Sequence, residues 1–321
     1  MFQPVQVIFA PTSRCNLACS HCRVRRGPEE LSARSASAFL ERCALGGIER
    51  VGFSGGEPFL RPDFLAEVSR TAVASGLYFD RLMTNGDWFA DPADLEESLS
   101  ALYEAGFDGT FGVSADAFHD QDPERLAAFL SAVFRIWGRK DCAEILSVRS
   151  PDEGPWLEGL RVLAERLGGR LVPRTGEPRG IADAAPRREE AAAGEVLDIP
   201  ILRFPRSAAG TETGWGADRW FREDFCEGPG NVFYVHPDGS VAVCCGFANE
   251  NPSLIVGNIR DDDYDSLMES ARANPHVRLV YEKGLDARRR ELEASGVKFP
   301  GMTDDICFFC DHLYRNTLIG D

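Results

Sequence analysis

Short apolar runs alternate with amphipathic stretches through the first 170 or so residues, and the remaining chain carries a turn-punctuated pair of strands among clustered cysteines. These two observations predict an α/β protein: an open, partial barrel of six β/α units followed by a small C-terminal α+β domain. A length of 321 residues fits about two domains.

Val5 to Ala10 reads as the first strand, and Pro11 opens the loop after it. Ser32 caps a helix running to about Cys43, which Gly46 and Gly47 end. Strand Val51 to Phe53, helix Leu65 to Ala74, strand Phe79 to Met83 and helix Asp94 to Ala105 follow. Strand Gly109 to Val113, helix Pro123 to Trp137, strand Glu144 to Val148, helix Pro155 to Leu167 and strand Arg170 to Val172 complete the series. Six units are too few to close an eight-stranded barrel, so a partial, TIM-like (β/α)6 barrel over residues 1–174 is expected. Residues 175–199, rich in Ala, Gly, Pro and charge, read as a linker with a short helix over Arg187 to Ala193. The second domain is placed at 200–321, and no internal repeat is evident.

A net charge of −16 argues against nucleic acid, because no sustained basic block is present. The surplus carboxylates read first as a solvated surface. No basic-then-apolar leader and no run of eighteen apolar residues are found, so neither secretion nor membrane insertion is expected. Ten cysteines in an unexported chain point to metal ligands in a reducing, cytoplasmic setting.

Cys15, Cys19 and Cys22 form a C-x3-C-x2-C triad in the loop after the first strand. Three thiolates fill three of the four iron sites of a 4Fe-4S cluster and leave one open for chemistry. The competing reading, half of a zinc site, suits a three-residue gap less well. The spacing and its place after the first strand resemble the radical S-adenosylmethionine (SAM) enzymes, although His21 stands where that family usually has another aromatic residue. The resemblance implies SAM bound at the open iron, cleavage to a 5′-deoxyadenosyl radical, and an external one-electron reductant of flavodoxin or ferredoxin type. It also implies roles for residues at the strand ends. In Ser54-Gly55-Gly56-Glu57-Pro58, the motif Gly55, Gly56 and Glu57 would meet the methionine amino group, the Glu57 carboxylate suiting an ammonium. Asn85 would line the cofactor pocket. Ser114 and Asp116, on one side of the fourth strand by its period of two, would meet ribose hydroxyls. Arg149 reads either as a fork for the methionine carboxylate or as a surface arginine. His119 reads as substrate-facing or as a hydrogen-bonded structural histidine. Cys43 and Cys142 have no cysteine neighbours and read as packing residues.

Val232 to Val235 and Ser240 to Val243 read as a hairpin about the His236-Pro237-Asp238-Gly239 turn. Its flanking Cys226 and Cys244, with Cys307 and Cys310 far downstream, supply four thiolates for a 4Fe-4S cluster or a zinc ion. The spacing resembles the twitch domain, the short relative of the SPASM domain, which implies one auxiliary cluster and hence two 4Fe-4S clusters in all. Cys245 is left over. It reads as apolar filler, as an alternative ligand, or as a hydrogen-atom donor of the kind the resemblance to radical peptide epimerases implies. The sequence-level expectation is a radical enzyme that abstracts hydrogen from a carbon of a ribosomally made peptide. A sugar or cyclitol dehydrogenase and a non-catalytic zinc or iron-sulfur protein are the alternatives.

Overall fold

The computed structural model describes residues 2–150, 153–173, 197–204, 213–221 and 231–319. The α/β expectation holds. Among the described residues ten strands form one sheet, and its order is β10-β9-β8-β1-β2-β3-β4-β5-β7-β6.

Strands β1 (Gln6–Phe9), β2 (Arg50–Phe53), β3 (Tyr78–Thr84), β4 (Thr110–Ser114) and β5 (Ala143–Val148) lie side by side, each parallel to the next. Helices α1 (Ala33–Leu45), α2 (Pro62–Ala74), α3 (Pro92–Glu104), α4 (Pro123–Trp137) and α5 (Gly154–Arg166) make the crossovers. Their starts are written in the sequence. Ser32 accepts from Ser35 N at the head of α1, and Asp91 and Asp122 cap α3 and α4 just before a proline that needs no donor there. Each such cap is worth about 1 kcal/mol. Between sheet and helices sits an aromatic core in which Phe9, Phe39, Phe53, Phe64, Phe107, Phe111 and Phe129 are fully buried.

Two features depart from the expected order. Strand β6 (Gly169–Pro173) does not pair with β5, because β7 (Leu197–Phe204) occupies that place and β6 lies outside it at the sheet edge. Strand β7 begins within the stretch expected to be a linker and crosses the boundary set at 199/200. Pro200 weakens its signal by removing a ladder donor, while Leu197, Ile199 and Ile201 bury one of its faces. The expected helix over 187–193 lies outside the described residues. The second departure is that the C-terminal hairpin, β8 (Val232–Val235) and β9 (Ser240–Ala242), is no separate sheet. β8 pairs in parallel with β1, Ile8 opposite Tyr234, and β10 (Ile255–Asn258) continues antiparallel beyond β9. Helices α6 (Tyr264–Ala273), α7 (Pro275–Arg278), α8 (Leu285–Ala294) and α9 (Ile306–Arg315) follow.

At the foot of the barrel polar side chains pair with one another. Gln6 donates to Asp80 at 2.9 Å, and Arg81 Nε donates to Glu144 Oε1, on a residue 2 % exposed. Catalytic loops therefore gather at the other end, where the strands finish. Among the described residues no helix is long and apolar enough to cross a membrane.

Candidate active site

The loop leaving β1 is fastened before it reaches its cysteines. Thr12 bridges Glu30, and the Ser13 hydroxyl exchanges hydrogen bonds with Gly27 at 3.0 and 3.2 Å. Thr12 O accepts from Gly56 N at 2.9 Å and Arg14 O from Glu57 N at 2.8 Å, which clasps the loop after β2 against it. This close approach explains the paired glycines. A Cβ on Gly56 would lie 2.0 Å from Arg14 O, and Gly55 has φ +114° with Thr12 O 2.7 Å from where its Cβ would be.

Cys15, Cys19 and Cys22 line one cavity of about 160 Å³ with His21, Arg26, Ser54, Gly55, Gly56, Asn85, Ser114 and His119. Asn85 Nδ2 lies 3.5 Å and Leu17 N 3.4 Å from Cys15 Sγ, both aimed as donors at that sulfur. Burial and the nearby Cys15 and Cys22 thiols push Cys19 up to about 11. Three crowded thiols of this kind become stable thiolates when a cationic centre compensates their charge, so the donor set fits an iron-sulfur cluster. His21, which lines the same cavity, has a buried Nδ1 without a hydrogen-bond partner and a ring packed 5.0 Å from Phe118 and 4.7 Å from His119. An adenine presents both a ring face and an N–H donor, which fits that edge.

Two expected contacts are corrected by the geometry. The Glu57 carboxylate does not line the cavity. It is fully buried, with Oε1 accepting from Phe59 N at 3.1 Å and Thr84 Oγ1 at 2.9 Å and Oε2 from Asn85 N at 2.8 Å. Burial pushes it up to about 7 against the pull of those three donors. It bolts the loop after β2 to the loop after β3, and only the glycines face the cofactor space. Asp116 is likewise turned away: its carboxylate accepts from Phe118 N, His119 Nδ1 and Val148 N, at 2.9, 2.8 and 3.2 Å. Burial opposes its charge, yet these bonds outweigh it and hold the carboxyl below its ordinary range. It orients His119, which is hydrogen-bonded as the structural reading expects and lines the cavity beside Ser114.

Arg149 is exposed at the end of β5 and is not part of the cavity wall. Arg26 is. Its guanidinium reaches Leu17 O at 2.9 Å and Cys22 Sγ at 3.9 Å, placing a cation where the surface reading of Arg149 leaves none. Sequence reasoning passed over Arg26 because no strand end announces it; its signal was only its nearness to Cys22.

A second cavity, about 40 Å³, is lined by Cys244, Cys245, Cys307 and Cys310. Cys244 leaves the end of β9, and Gly246 N donates to its Sγ at 3.3 Å. Cys307 and Cys310 lie one turn apart on α9, whose N-cap Asp305 accepts from Cys307 N at 2.9 Å. Cys226, the expected fourth ligand, lies outside the described residues. Cys245 also packs on Ala10, Tyr234 and Ala242 at the inner face of the sheet. The Tyr234 hydroxyl is hydrogen-bonded to Ser54, which lines the first cavity. Cys43 and Cys142 are buried packing residues, as expected.

The model of the Radical SAM superfamily matches residues 9–166, and that of an iron-sulfur cluster-binding domain, SPASM, matches 226–292. The chain thus carries a radical SAM domain followed by a SPASM-type iron-sulfur domain. As a radical SAM enzyme with a SPASM-type domain, it takes SAM and iron-sulfur clusters as its cofactors. A probable GTP 3′,8-cyclase of Methanopyrus kandleri is 39 % identical over 105 residues, 32 % of this chain and 31 % of that one. The PqqA peptide cyclase of Gluconobacter oxydans is 37 % identical over 109 residues, 33 % and 28 % of the two chains. These matches thus span under a third of those relatives. A GTP 3′,8-cyclase of Stenotrophomonas maltophilia aligns over 303 residues at 25 % identity, 86 % of this radical SAM chain and 88 % of the relative. Among solved structures, Streptococcus suis SuiB superposes with a TM-score of 0.56 at 13 % identity, over 95 % and 77 % of the chains. The structure of anSMEcpe with bound AdoMet and a peptide gives 0.54 at 16 %, over 98 % and 96 %. At such identities these two establish the fold.

Proposed function

We propose that this radical SAM enzyme abstracts a hydrogen atom from a carbon of a peptide and that Cys245 returns one from the other side, inverting the centre. The observation that carries the reading is the position of Cys245, packed on the inner face of the barrel sheet next to Tyr234, whose hydroxyl meets Ser54 at the first cavity. When bound, the cluster and SAM supply the 5′-deoxyadenosyl radical that takes the first hydrogen. Everything else falls to the chain. Gly55 and Gly56 bring backbone against the methionine end, Arg26 holds its carboxylate, and His21, Ser114 and His119 receive the nucleoside end. The Cys245 S–H bond breaks as a C–H bond forms on the substrate. The resulting thiyl takes one electron from an external reductant of flavodoxin or ferredoxin type and a proton from water.

The likeness of fold to a structure holding both AdoMet and a peptide supports a peptide substrate. The GTP cyclase relatives favour a nucleotide instead, but a triphosphate suits this chain poorly. Its net charge is −16, and Arg26 at the cavity already reaches Leu17 O and Cys22 Sγ. Turnover in deuterated water with candidate peptides, and with GTP in parallel, tests the reading. One deuterium at an inverted carbon is expected, while Cys245→Ala should still release 5′-deoxyadenosine yet give neither inversion nor label. A product lighter by two hydrogens would establish the dehydrogenase alternative, and consumption of GTP would establish the cyclase.

A further inference from the structure

Arg23 follows the last cysteine of the first site and Asp311 follows the last cysteine of the second, and the two side chains meet. Arg23 Nη1 lies 2.6 Å from Asp311 Oδ2, with side-chain exposures of 18 % and 9 %. The guanidinium also stacks 4.9 Å from the ring of Phe247, on the loop after Cys244 and Cys245. Arg315, mostly exposed, reaches the same carboxylate oxygen at 2.8 Å, and Arg25 N donates to Glu250 at 2.9 Å close by. The segment after Cys22 is thereby fixed to both segments that carry the auxiliary cysteines.

Stability alone does not account for a buried pair, since apolar residues of similar size usually serve as well, while removing one partner leaves a charge stranded. The placement does. The Arg23 guanidinium offsets the charge of a carboxylate that directly follows Cys310, in a mostly buried pair where such a charge acts strongly. We propose that Arg23 is a positioning residue, paired with Asp311, whose charge raises the reduction potential of the auxiliary cluster and so links the chemistry of one cysteine site to the loop of the other. The proposal rests on both cysteine sets holding iron-sulfur clusters; iron content and the visible spectrum test that premise separately.

The experiment is an electron-paramagnetic-resonance redox titration of the anaerobically reconstituted full chain. A Cys15→Ala/Cys19→Ala/Cys22→Ala form assigns the auxiliary signal. Arg23→Gln should move the auxiliary midpoint to a more negative value, by about tenfold in the redox equilibrium or about 59 mV for one electron. Asp311→Asn should move it the other way, and Arg23→Lys, which keeps the charge and loses the fork, should stay near the parent. If Arg23→Gln takes up no iron, the Arg23→Gln/Asp311→Asn double variant strands no charge and carries the comparison: loaded, it should lie near the parent while Asp311→Asn alone lies above it. Equal midpoints in all loaded variants, or a lysine variant displaced as far as the glutamine one, would overturn the proposal.

Discussion

Glu57 joins two loops of the active site with one buried carboxylate. Its folded pKa of about 7 stands above the ordinary value of 4.5, so the native state holds the extra proton between those values. Its contribution is therefore full below about pH 4.5 and is lost as pH rises to about 7. Glu57→Gln should flatten that part of the stability profile, and it should cost about 1–3 kcal/mol at neutral pH because the amide turns a donor toward Asn85 N or Phe59 N. Urea unfolding of the parent and the variant from pH 4 to 8 checks both. Asp116→Asn should leave the iron content intact and weaken SAM binding several-fold by calorimetry, since it loosens His119, Phe118 N and the ends of β4 and β5. At this scale the gathering of Cys15, Cys19 and Cys22 at one cavity was legible because their spacing is local. The direction of Glu57 and Asp116 was not, because bonds to Thr84, Asn85 and Val148, remote in sequence, decide it.

Elements were read more fully than contacts. Helix α4 was placed at its observed limits because Asp122, Pro123 and Gly138 mark both ends, and its apolar face buries Leu126, Phe129, Leu130 and Val133. Strand β7 escaped because its residues follow a stretch with loop composition and Pro200 interrupts it. The partner of β8 escaped because a hairpin declares its own turn and says nothing about the strand on its far side. Backbone approach at the loop after β2 gives a sharp expectation. Gly56→Ala must displace Arg14 and the cysteine loop behind it, so the first cluster should be lost while the auxiliary one stays. Iron analysis should find about half the parent's content.

Among the described residues, the first three cysteines and the side chains around them gather where β1 to β4 finish. Because β8 lies beside β1, the strand that delivers the first three cysteines is an interior stave only while the distal third of the polypeptide is attached. A version stopped at residue 221 would turn Gln6 to Phe9 into a bare rim of unanswered amides and carbonyls. It should elute as aggregate on gel filtration where the intact chain does not. Severing the two halves would thus cost the founding ligands their footing, and any attempt to study them apart must first supply a substitute for Val232 to Val235.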